Sequence, residues 1–185
     1  MHVLNERNFV RRNCYMKRNC LSIFFILIFN FCAKDLFSQT IEERLLKASD
    51  CDTMLMYAMV ILPELYKKNS LDSLHTAVEI WERWCGARLE VKTTRILLDI
   101  EESRSGFSRN VDANTIDLLS NYARFLSDHA QGRPYTTSQA SFFRFATAWS
   151  KLLLENKPLD ENEKFICRVL SGEIKEPEKE IRKNS

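Results

Sequence analysis

From residue 39 onward, apolar positions recur at steps of three and four, and short polar breaks separate the stripes. Leu71, Leu74, Val78, Trp81 and Cys85 form the cleanest stripe, the pattern of one buried helix face. Similar registers place Ile116, Leu119, Tyr122, Ala123, Leu126 and Ala130 on one helix, and Phe142, Phe145, Ala146, Trp149, Leu152 and Leu153 on another. Between Thr53 and Lys68 nearly every position is apolar (Met54, Leu55, Met56, Tyr57, Met59, Val60, Ile61, Leu62), which predicts a central buried helix with a kink or break at Pro63. Leu89 to Glu102 and Leu159 to Leu170 complete the set.

The breaks carry matching cap chemistry. Thr40 with Glu43 and Thr136 with Gln139 fit capping boxes, and Asp160 with Glu163 has the same spacing. Asp50 or Asp52 caps the Thr53 helix, and Asp112 caps the helix that runs to Ala130. Gly86, Gly132 with Pro134, Pro158 and Ser171-Gly172 supply the stops, Gly86 by taking the left-handed conformation. Residues 103–111, SRSGFSRNV, read as the principal loop. The fold class is therefore all-α, with about seven helices in antiparallel hairpins. Helix starts recur every 18 to 24 residues, so hairpin units approach the tetratricopeptide period and predict a solenoid-like stack. The tetratricopeptide glycine and tyrosine positions are not met, so no family is assigned.

Leu21 to Ala33, LSIFFILIFNFCA, follows a different pattern. Its apolar run is about 13 residues, too short for a bilayer span of about 20 and within the range of a secretory signal core. Arg7, Arg11, Arg12, Lys17 and Arg18 precede it against the single acid Glu6. The stretch resembles a general-secretion leader, with Met16 as a second candidate start. Cleavage is expected between Ser38 and Gln39, with Ala33 as the next choice. Phe31 before Cys32 and Asn19 before Cys20 argue against a lipoprotein. Three parts follow: 1–38 signal peptide, 39–172 a single helical domain, and 173–185 a charged tail too poor in apolar residues to order itself. The predicted location is the periplasm or the exterior; retention of the leader as an anchor is the rival reading.

Composition then narrows the function. The leader holds six of the 27 basic and two of the 25 acidic residues, so the remainder is near −2. Nucleic-acid binding by a clustered basic surface is not expected. Four glycines in the entire chain leave no glycine-rich phosphate loop. No HExxH, CxxC or nucleophile elbow is present, so no metal, cofactor or catalytic residue is assigned. Cys51, Cys85 and Cys167 read first as buried small hydrophobes, with one Cys51–Cys85 disulfide as the second reading. Asp99, Glu101 and Glu102 read as a solvated acidic face, and Asp128-His129 with Arg133 as surface charge. Trp81 and Trp84 divide the aromatic surface of one helix, and Trp84 is the candidate for an interaction surface. The expected function is an exported helical module that binds an unknown protein partner, free of the membrane after cleavage and not an enzyme. A small helical hydrolase is the alternative, and a polar pocket holding two or more of Glu64, His75, Glu79, Glu82 and Asp99 would favour it.

Overall fold

The caps fix where the helices begin. In a computed structural model that describes residues 40–103 and 111–184 (side chains to residue 181), Asp50 accepts from Thr53 N at 2.8 Å and Asp112 from Thr115 N at 2.8 Å. Thr136/Gln139 and Asp160/Glu163 form reciprocal boxes. The described residues form eight helices and no strand. These are α1 (Ile41–Leu46), α2 (Cys51–Lys67), α3 (Leu71–Cys85), α4 (Leu89–Glu102), α5 (Ala113–Ala130), α6 (Thr137–Asn156), α7 (Glu161–Leu170) and α8 (Pro177–Asn184). Helix α2 runs through Pro63 without a break. The expected cleavage site at Ser38 and Gln39, and most of the 103–111 loop, lie outside the described residues.

Three helix ends share one stop. Asn69, Gly132 and Gly172 have φ of 53°, 77° and 83°. In each case the following residue's N–H reaches back five residues: Ser70 to Leu65, Arg133 to Asp128, Glu173 to Arg168. Gly86 does not follow this rule. Its φ is −59°, right-handed, so the left-handed expectation is corrected. A Cβ there would lie 2.7 Å from the Glu82 carbonyl oxygen, so the tight α3–α4 turn excludes a side chain on steric grounds. Gly86→Ala is expected to cost about 1 kcal/mol, because the turn must shift to admit one methyl. Urea unfolding measures it; an unchanged midpoint would show that the turn yields freely.

Sequential pairs α2–α3, α3–α4 and α6–α7 pack as hairpins, as the short links require. Helix α6 also packs on α2 and on α4, and α5 packs on α7 and α8. In a solenoid each unit touches only its neighbours. Contact between α2 and α6, four elements apart, closes these helices on one another instead of stacking them. The central element is α4, not α2. With α3, α5 and α6 against it, α4 buries Glu90, Val91, Thr93, Thr94, Ile96, Leu97, Leu98 and Ile100. Helix α2 buries Met54, Leu55, Ala58, Ile61 and Leu62 but leaves Met56 and Val60 exposed. On α6, Leu152 is also exposed, against expectation, while Trp149 and Leu153 are buried.

The segment after Gly172 is ordered further than its composition predicts. Ile174 and Pro177 are buried, and α8 packs on α5. One isoleucine set into a groove beside α5 supplies the apolar contact that a residue count undervalues.

Candidate functional site

The α3–α4 hairpin builds the densest polar cluster. Antiparallel packing about the Arg88–Leu89 junction sets residues at equal distances from that point opposite each other. His75 thus meets Glu102, and Glu82 meets Arg95. The Arg95 guanidinium donates from Nε (2.9 Å) and Nη2 (2.6 Å) to the Glu82 carboxylate, a bidentate pair. Its Nη1 lies 3.4 Å from His75 Nδ1. With Nδ1 accepting, the ring proton sits on Nε2 and is donated to Glu102 Oε2 at 2.5 Å. The hydrogen bond donated to Glu82 raises the Arg95 pKa, opposed by partial burial and helped by the charges of Glu82, Asp99 and Glu79. Four of the five residues named for the enzyme reading thus surround one arginine. The fifth, Glu64, pairs with Lys68 at 2.7 Å on α2, which lowers its pKa.

The acids at the end of α4 do not form a shared solvated face. Successive residues on a helix point about 100° apart, so each acid finds its own neighbour. Glu102 turns to His75, and Asp99 lies in the field of Arg95. Glu101 turns the other way, accepts the Trp149 indole N–H at 2.8 Å and has Lys157 at 3.8 Å. Tyr66 stacks at a tilt on Trp149, 4.9 Å between centroids, and its pKa is pushed up to about 12 by burial and then by Glu101. Asp128 pairs with Arg133 at 2.9 Å, and His129 lies against Tyr135, so that group stays at the surface as expected.

Cys51 and Cys85 are joined in a disulfide, with Cα atoms 5.8 Å apart. The first reading, three buried thiols, therefore holds only for Cys167. The second reading, a Cys51–Cys85 pair, is the one the structure has; the α2–α3 hairpin makes it, because it sets the start of one helix beside the end of the next. Burial pushes the Cys167 thiol up to about 12, with the charges of Glu163 and Glu101 adding to it. The folded chain should therefore resist alkylation by iodoacetamide at pH 8, and the denatured chain should react. Stability also acquires an alkaline limit. The folded state keeps the Cys167 proton that the unfolded state releases near pH 9, so stability falls as pH rises from about 9 toward 12, by up to about 1.4 kcal/mol per unit. Tyr66 adds to the loss above about pH 10. In Cys167→Ala the decline should begin later; an unaltered profile would remove the thiol as its cause.

Beside the disulfide, Trp84 is 63 % exposed, whereas Trp81 is buried at 1 %. Leu46, Met56 and Val60, on α1 and α2, are exposed as well. Two clefts lie elsewhere. One of about 500 Å³ runs between α4 and α5 over Leu89, Ile96, Leu118 and Phe125. Another of about 740 Å³ lies between α5, α7 and α8. Neither contains Trp84 or the Arg95 cluster. Among the described residues, no helix is long and apolar enough to cross a membrane, and no group of three or more His, Cys, Asp or Glu has a metal-binding arrangement. Arg95, the centre of the polar cluster, was not singled out by the sequence. The hairpin symmetry could have found it, because Glu82 and Arg95 are equidistant from the turn. Compared with known families, curated proteins and solved structures, the chain matches none of them.

Proposed function

We propose that the protein is exported and acts as an all-helical protein-interaction module, with the α1–α3 end as its contact surface. The observation that carries this reading is Trp84, a large aromatic 63 % exposed and immediately before a disulfide-bonded cysteine. An aromatic held on a restrained backbone loses little conformational freedom on binding, which is why tryptophan is frequent at interface hot spots. Leu46 on α1 and Met56 and Val60 on α2, the helices that pack with α3, are exposed apolar residues as well. Export is supported by the basic, apolar leader and by a near-neutral remainder.

Two measurements in the native host test this. Intact mass and N-terminal sequencing should find a soluble species beginning at or near Gln39; a full-length species in the membrane fraction would replace the module with an anchored component. A photoreactive residue at position 84 should give a discrete protein adduct that the same residue at Lys151, exposed on α6, does not. Equal labelling at both positions would remove Trp84 from the surface.

The hydrolase alternative draws on one specific feature, the His75–Glu102 pair, a carboxylate-oriented imidazole. Both ring nitrogens are engaged, so acid–base work there needs Arg95 to move aside. Loss of a hydrolytic activity in His75→Gln, with the fold intact, would favour it.

A further inference from the structure

The α1 corner is held differently from the rest of the chain. Helix α1 has six residues, far fewer than a helix needs to persist alone in water. Leu45 is the one residue of α1 that is buried, and α1 packs on α2 and α3. The turn that follows leads into Cys51, the first residue of α2, whose sulfur is bonded to Cys85 at the end of α3. Close by, Arg88 reaches Asp52 at 2.5 Å, but the Asp52 side chain is 77 % exposed, where an ion pair contributes little. From Met54 onward α2 is secured by its own buried residues and by α3 and α6. The covalent bond therefore sits at the boundary between the body of the fold and a short corner whose helix has a single fully buried side chain.

We propose that the Cys51–Cys85 disulfide is a redox latch: it holds α1 and the following turn, 41–50, on the α2–α3 end, and its reduction frees that corner while α4, α6 and α7 stay folded. The reductant is a dithiol. Its thiolate attacks Sγ of Cys51, the half-buried partner, and Cys85, the buried one, leaves as a thiolate and takes up a proton. The second thiol of the reductant then displaces Cys51 from the mixed disulfide. In sum, the protein disulfide gains two electrons and two protons, and the dithiol becomes a cyclic disulfide. Cys167, buried in α7, takes no part. Release uncovers the seat of Leu45 on α2 and α3. Because Cys85 follows Trp84 directly, the same event alters the surface assigned above. That consequence rests on the interaction reading; the latch does not.

Hydrogen exchange of the full chain, with and without dithiothreitol, tests the latch without any partner. On reduction, the hydrogen-bonded amides at the end of α1 and the Ala48 amide, which donates to the Leu45 carbonyl, should exchange at least about 100-fold faster and approach unstructured rates, while α4, α6 and α7 remain protected. The Cys51→Ser/Cys85→Ser chain should show that pattern with or without reductant. If this double variant fails to fold, the reduced wild-type chain decides. Corner amides as protected as in the oxidised form would overturn the latch, and so would loss of protection throughout the chain, which would make the disulfide a global staple.

Discussion

Trp149→Ala should lower the unfolding free energy by about 3–5 kcal/mol, the range for removing a fully buried aromatic. Trp149 is 1 % exposed on α6, with Tyr66 of α2 and Phe145 beside it. The indole also joins α6 to α4 through the Glu101 carboxylate. Truncation thus opens a cavity where α2, α4 and α6 meet and removes a donor from a carboxylate whose side chain is only 18 % exposed. For a domain of this size the melting temperature should fall by roughly 10 °C. Trp149→Phe keeps most of the volume and loses the N–H, so it should cost about 1–2 kcal/mol. If Glu101→Met, which has no oxygen acceptor, is introduced into both backgrounds, the double-mutant cycle isolates the hydrogen bond from the packing. A loss below about 1 kcal/mol for the alanine variant would mean that these three helices are not centred on this side chain.

Arg95→Met should cost about 2 kcal/mol near neutral pH, more than an exposed ion pair, because one cation serves several acids. Without it, the Glu82 carboxylate loses its bidentate partner, and Glu79 and Asp99 lose the positive charge they interact with. The deficit should shrink in high salt, since the Arg95 and Glu82 side chains are about one-fifth to one-third exposed. Denaturant curves at several salt concentrations measure it. A deficit unchanged by salt would place the role of Arg95 in packing by its aliphatic stem rather than in charge.

These two residues also mark the limit of sequence reading. Trp149 was legible as a core residue because its neighbours Phe142, Phe145, Ala146 and Leu153 repeat at helical spacing, and a stripe states which face turns inward. Its bond to Glu101 was not legible, since residues 48 apart meet only when α4 and α6 pack. Arg95 was half legible. An antiparallel hairpin predicts the Glu82–Arg95 pair once the turn is placed, but Asp99, Glu101 and Glu102 looked like one acidic face because adjacency in sequence conceals a 100° rotation per residue. Met56 and Val60 misled in the opposite direction. A continuous apolar run signals burial all round, yet burial requires neighbours on every side, and among the described residues Met56 and Val60 of α2 stay exposed.

What the sequence by itself determined was local: the helices, their caps at Asp50, Asp112, Thr136 and Asp160, the stops at Gly132 and Gly172, and the inward stripes. These depend on groups within about four residues of one another, so a one-dimensional pattern contains them. The tertiary structure alone decided that α4 is the central helix and that α2 closes onto α6, and it chose between the thiol and disulfide readings of Cys51 and Cys85 and between the packed and exposed readings of Trp84. Each of these depends on which helix lies against which, and amphipathic stripes are interchangeable partners until the entire set is packed.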